Sequence, residues 1–277
     1  MKTGKISTLI VAFALCFMAI VLLRVSLMPE MESPHNMLKK LAPFSHTTKL
    51  PDFDAYHDVG EKKAAFFDFL RPIVQEINQD TLKKRHDVNR LLTKLENGES
   101  LSSKESQYLS MLAAEYGIEE DTPQSMAERL LKRIDIVPES LVLVQAANES
   151  GWGSSRFAKE GLNLFGQWCY SKGCGIVPAA RGHEMTHEVT VFNTVEQAIA
   201  SYIQNINTHP AYQLFRSIRA EQRLKGIEPD ASRLVYGLLN YSERREAYVE
   251  ELLQMLRHNR QYLERNNETD NQTVSAV

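Results

Sequence analysis

The 277-residue chain has little of several features that announce a function. Its formal net charge is only −3, from 32 basic and 35 acidic residues, and lysine and arginine are interleaved with the acids instead of clustered. That pattern leaves no electrostatic footprint for nucleic acid, so no nucleic-acid partner is expected. There is no glycine-rich phosphate loop and no G-x-S-x-G elbow, which withdraws support from hydrolases of those kinds. No internal repeat or low-complexity core is present. Cysteine is limited to three residues, and one of them, Cys16, lies in an apolar run where it reads as a packing or lipid-facing residue.

One long charge-free run stands out. Residues 6–23 are eighteen positions without a charge, preceded by Lys2 and Lys5 and followed by Arg24 and a short apolar tail to Met28. The length suits a spanning helix and no small-residue cleavage pattern follows, so residues 1–28 are expected to form an uncleaved anchor. The lysines hold the N-terminus in the cytoplasm, which predicts a periplasmic body tethered to the inner membrane by residues 6–27. In that oxidising compartment Cys169 and Cys174, in a polar, glycine-punctuated loop, are expected to form a local disulfide if the loop brings their α-carbons within about 7 Å.

Residues 29–56, punctuated by Pro34, Pro43 and Pro51, read as a tether. Residues 57–136 read as an N-terminal helical region. Phe66, Phe67, Leu70, Ile73, Val74 and Ile77 share one helical face, Pro72 is expected to bend that helix or start another, and a second amphipathic run ends at Gly98. Shorter helices follow over 103–116 and 122–134. In residues 137–264 the pattern predicts helices over 138–147, 195–206, from Pro210, over 230–239 and over 242–263. The alternation Glu188-Val189-Thr190-Val191-Phe192 is the one strand signal, placed in a small hairpin or sheet. Thr194-Val195-Glu196-Gln197 is a capping box, and residues 265–277 read as a disordered tail. The expected class is α+β, mostly helical with one small β element.

His183-Glu184-Met185-Thr186-His187 matches the HExxH zinc-peptidase motif. That motif needs a helix through its whole length to bring both histidines to one face, whereas Gly182 precedes it and a β-branched run follows. Cys169, Cys174, His183 and His187 loosely imitate a two-cysteine, two-histidine zinc site, but with a short gap and no recognition helix. No metal and no cofactor are therefore expected.

The strongest chemical signal is a lone carboxylate. Residues 138–147 are apolar on nearly every side and read as a core helix, which Gly151 and Gly153 stop. Glu149 stands at its end, where an apolar surround and the negative end of the helix dipole both oppose ionisation. A group that donates a proton near neutral pH needs such a place. A second acid follows about forty residues on, either Glu188 or Glu184.

The string Gln145-Ala-Ala-Asn-Glu149-Ser-Gly-Trp-Gly-Ser-Ser155, then Ala158 and Asn163-Leu-Phe-Gly166, resembles the glucosaminidase domain of glycoside hydrolase family 73. Similarity to a bacterial branch of that family continues through His187-Glu188-Val189, the stretch from Tyr202 to Tyr212, and Tyr241-Ser-Glu-Arg. The resemblance implies a lysozyme-like fold with an added N-terminal helical region. It also implies endo-β-N-acetylglucosaminidase action on peptidoglycan glycan strands, with Glu149 as catalytic acid. Glu188 then takes the role of base or cation stabiliser because it precedes the strand, with Glu184 as the fallback. Trp152, Asn163, Phe165, Gln167, Trp168 and Tyr241 have the flat faces, amides and hydroxyls of a sugar cleft. Trp152 and Phe165 could equally close the core below Glu149. A lytic transglycosylase and a non-catalytic cell-wall-binding protein are the competing readings.

Overall fold

In the computed structural model, residues 47–119, 121–179, 181–182 and 185–264 are described. The expected anchor, most of the tether and the C-terminal tail lie outside them, as do His183 and Glu184. Among the described residues no helix is long and apolar enough to cross a membrane.

Helix α1 spans Val59–Glu96, 38 residues and so about 57 Å at 1.5 Å per residue. Asp58 caps it by accepting the Glu61 N–H at 2.8 Å. It is one helix, so of the two outcomes open at Pro72 a new start does not occur: the proline sits on the exposed face, where its missing N–H and ring disturb no packing. Its first half sends Phe66, Phe67, Leu70, Ile73 and Val74 into the main core. Its second half sends Val88 and Leu91 into a separate cluster with α2 (Ser103–Glu115) and α3 (Pro123–Arg133). Ser102 and Glu105 form a reciprocal capping box on α2, and Thr122 caps α3 in front of Pro123. Helix α1 therefore contributes to both clusters.

That main core is built around α4 (Glu139–Ser150), in which every residue from 141 to 147 is buried. After α5 (Arg156–Gly161) comes a three-stranded antiparallel sheet of β1 (Trp168–Cys169), β2 (Gly175–Ile176) and β3 (Glu188–Thr190), in the order β1-β3-β2. The expected strand is thus the central one. Its neighbours are two residues each, too short to show alternation in sequence. Close pairing requires Gly175, since a β-carbon there would lie 2.0 Å from the Val189 carbonyl oxygen.

Helix α6 (Val195–Thr208) starts at Thr194, whose hydroxyl accepts the Gln197 N–H at 3.2 Å. The returning bond shifts by one residue, with Gln197 accepting from the Asn193 N–H at 3.1 Å. A 3-10 turn (Pro210–Tyr212) leads into α7 (Gln213–Leu224). The helix expected over 230–239 is instead a short α8 (Ala231–Leu234) followed by a 3-10 segment (Val235–Leu238), which lets Gly237 lie directly against the Phe215 backbone. The last expected helix begins later, as α9 (Glu246–His258), and breaks at Asn259 before α10 (Arg260–Leu263). A turn closed by the Arg245 N–H on the Ser242 carbonyl, with Arg245 at φ 45°, occupies its first residues.

Candidate active site

Glu149 lies in the last turn of α4, and the local sequence fixes it there. The buried residues 141–147 anchor the helix in the core. Gly151, at φ 57°, ends it in the left-handed conformation, and the Trp152 N–H closes back on the Ala147 carbonyl at 2.9 Å. Ser150 pins the turn by donating to the Ala146 carbonyl at 2.6 Å and accepting the Gly153 N–H at 2.8 Å. Gly153, at φ 77°, admits no side chain, because a β-carbon would meet the Phe53 ring at 2.6 Å.

Burial pushes the Glu149 carboxyl above its usual range; bonds from Tyr248 and Asn148 and the charge of Arg244 pull the other way, and Glu251 adds to the rise. The balance leaves a partly buried carboxyl that holds its proton more tightly than a solvated glutamate. The backbone at Gly166 closes the space in front of it, where a β-carbon would stand 3.9 Å from Glu149 Oε2.

A chain of buried polar groups lies beneath. The Tyr202 hydroxyl donates to Gln145 Oε1, and Gln145 Nε2 donates to the Tyr248 hydroxyl oxygen at 2.9 Å. The amide therefore supplies the hydrogen on that side, which leaves the Tyr248 hydrogen for Glu149. Tyr248 remains a donor because burial, then the neighbouring Glu149, hold its hydroxyl well above the usual range. Tyr241 stacks on Tyr248 at 5.4 Å between centroids and donates to the Phe165 carbonyl at 2.8 Å, while Phe165 stacks on Tyr202 at 4.1 Å. Helices α4, α6 and α9 and the Asn163-Leu-Phe-Gly166 loop thus meet around one carboxyl.

Tyr248 belongs to no local motif and was missed by sequence reasoning. The available clue was Gln145, a polar residue within the apolar run 141–147, one turn before Glu149 and on its face, which needs buried partners. Replacing Tyr248 by phenylalanine removes a donor that favours the carboxylate, so the Glu149 pKa is expected to rise further. Were Glu149 to act as a general acid, which works while protonated, the basic limb of the pH–rate profile would move to higher pH. Its plateau falls about tenfold as the carboxyl loses an orienting bond. A limb moving to lower pH would contradict this account of the donor.

The other expected site residues take several positions. Asn163 is buried with all four hydrogen-bonding positions used: it donates to the Gln167 and Thr190 carbonyls at 2.9 and 3.0 Å and accepts from the Phe165 and Gln167 N–H groups. Gln167 donates to the Ala198 carbonyl at 3.1 Å and accepts from the Ser201 hydroxyl at 2.7 Å. With Phe165, these residues build the loop that supports the site. Trp152 packs against Phe66 and Phe67 of α1 at 5.7 and 5.1 Å, with Lys63 Nζ 5.2 Å over its ring. Trp168 is 54% exposed and stacks on the buried His187 at 4.1 Å.

Glu188 is 5% exposed, and both of its oxygens are engaged by the loop joining β1 to β2: Oε1 accepts the Gly173 N–H at 3.0 Å and Oε2 the Gly175 N–H at 2.8 Å. These bonds hold its carboxyl below the usual range. The same loop is closed by a disulfide between Cys169 and Cys174, with α-carbons 6.2 Å apart. Thiols in a disulfide offer no thiolate to a metal. Residues 185–187 are not helical, so the HExxH string lacks the backbone its metal chemistry requires.

A buried helix ending in a partly buried carboxyl shifted toward its protonated form, with the Gly166 loop beside it, in a mostly helical α+β body that carries a small three-stranded sheet, is the architecture of a lysozyme-like glycosidase. The family model described as mannosyl-glycoprotein endo-beta-N-acetylglucosaminidase matches residues 124–261, and the chain belongs to this glucosaminidase family, as a protein of the Bax type. It is 31% identical over 220 residues to Protein bax of Escherichia coli (strain K12), covering 78% of this chain and 77% of that protein. No solved structure matches the chain. The family segment begins inside α3, so α1 and α2 precede it.

Proposed function

We propose that the protein cleaves peptidoglycan glycan strands at the bond following N-acetylglucosamine, with Glu149 as general acid. The observation that carries this reading is the Glu149 carboxyl, partly buried at the end of an apolar helix and shifted toward its protonated form, within the segment that the family model matches. As the glycosidic C–O bond breaks, positive charge grows on the sugar and the leaving oxygen takes the Glu149 proton. Hydrolysis then adds water at the sugar carbon, and the proton that the water gives up returns to the Glu149 carboxylate. Digesting purified cell wall with the full chain should create reducing N-acetylglucosamine ends, detected by mass spectrometry. No cleavage at any pH would leave a wall-binding role instead.

A lytic transglycosylase is the second reading, favoured by the engagement of both Glu188 oxygens with backbone amides. Such an enzyme needs one acid: a hydroxyl of the muramic acid ring attacks in place of water, its proton returns to Glu149, and an anhydro-sugar end is left. We assign Glu188 to shaping the loop. On that assignment Glu188→Gln, which keeps one acceptor, lowers kcat by less than about tenfold, whereas loss of a general base costs about a hundredfold or more.

We also propose that residues 6–27 anchor the chain in the inner membrane with its body in the periplasm. The disulfide supports this, because such bonds persist in oxidising compartments. Protease added to spheroplasts is expected to degrade the body; protection until the cells are lysed would place it in the cytoplasm.

A further inference from the structure

A groove of about 330 Å³ opens between the start of α1, the end of α4 and one face of α9. It adjoins the candidate acid through two of its own walls: Asn148 bonds the Glu149 carboxyl, and Glu251 acts on its charge. Glu251, Met255 and His258 succeed Tyr248 at steps of three or four along one face of α9, so that face carries the groove away from Glu149 for about 15 Å.

Its charge is not balanced. Glu251 is paired with Arg244. Lys63 has the Trp152 ring beneath its ammonium and, among the described residues, no carboxylate paired with it. Its neighbour Lys62, by contrast, is held by Asp54 at 3.0 Å. Around Lys63 the groove offers the N–H donors of Asn148, Gln254 and His258 over an apolar floor of Trp152 and Met255.

A neutral N-acetylated sugar has nothing to match an unpaired cation. The peptides carried on alternate sugars of peptidoglycan do: they bring free carboxylates for Lys63, amide carbonyls for the donors, and alanine methyl groups for the floor. We propose that this groove is a subsite for the carboxylate-bearing stem peptide of the glycan, anchored by Lys63. The proposal rests on reading the Glu149 cleft as a peptidoglycan cleft. It gives α1, which lies before the family segment, a part in choosing substrate.

The test begins with binding, which does not depend on turnover. The chain has two tryptophans and so two indole N–H signals in a nitrogen-15 spectrum. Muramyl dipeptide added to the full chain in detergent should shift the Trp152 signal, while the dimer of N-acetylglucosamine should not. Lys63→Glu, shown to be folded by its melting temperature, should weaken dipeptide binding about tenfold. An unshifted Trp152 signal, or equal affinity in Lys63→Glu, overturns the subsite. With turnover, the variant should lose about tenfold in kcat/KM on peptide-bearing strands and clearly less on strands stripped by an amidase, where the lactyl carboxylate of muramic acid is the one anion left. Equal loss on both substrates also overturns it. If dipeptide shifts Trp152 and Lys63→Glu weakens it while no glycan is cut, the subsite stands and the proposed activity fails.

Discussion

Glu149→Gln is expected to lower glycan cleavage about a thousandfold while leaving the fold at least as stable as the wild type at neutral pH. The amide is nearly the same size and still accepts from Tyr248, but it has no proton to give to a departing sugar oxygen. The stability half follows from linkage. The folded carboxyl binds its proton more tightly than the unfolded one, because burial disfavours its charge. Its contribution to stability is therefore full below the ordinary glutamate range and is lost as pH rises through the folded value. Glutamine has no such loss, so the variant's melting temperature should match or exceed the wild type at neutral pH, and the gap should narrow on acidification. Two measurements decide it: release of sugar ends from cell wall, and calorimetry across pH. Wild-type rates in the variant would remove Glu149 from the chemistry.

Arg219→Met is expected to be the most damaging single change to the fold. Arg219, on α7, is only 1% exposed. Its guanidinium donates to the Asp135 and Ile136 carbonyls at 3.2 and 2.9 Å, to the Arg133 carbonyl at 3.1 Å and to Asn207 Oδ1 at 2.8 Å. It thus caps the C-terminal end of α3, where a cation also suits the helix dipole. Burial lowers the Arg219 pKa to about 10, with Asp135 opposing the fall, so the group stays charged. Burial would raise the Asp135 carboxyl, but the two-pronged grip of Arg223 at 2.9 and 3.0 Å, with Arg219 and Arg85 nearby, holds it below the usual range. Methionine fills much of the volume but strands several carbonyls and the Asn207 oxygen away from water. A loss of about 3–5 kcal/mol is expected, which in a body of this size lowers the melting temperature by about 10 °C. A fall of only about 2 °C would mean that these groups find other partners.

Much of this architecture was legible in the sequence where its cause is local. The Thr194–Gln197 cap, the glycine that ends α4 and the alternation that marks β3 depend on neighbours a few residues apart. Helix boundaries went astray where packing overrode propensity. Pro72 was expected to bend the helix or start another, yet the helix continues because the proline faces outward and the residues on either side enter one core. The helix expected from Ser242 starts later because a turn occupies its first residues.

The identity of Glu149, its place at the end of an apolar helix and the class of chemistry it suggests could all be read from a dozen adjacent residues, because desolvation and the helix dipole are set by near neighbours. What surrounds that carboxyl could not. Tyr248 lies 103 residues from Gln145 and Gly173 lies 15 from Glu188, and neither pairing has a sequence pattern to announce it. Only the folded chain shows that Gln145 leaves the Tyr248 hydrogen for Glu149, that Glu188 is bound by loop amides, and that Lys63 overlooks a groove beside the acid. A hydrogen bond or an unmatched charge is a relation between groups, and folding is what brings distant groups within reach of each other.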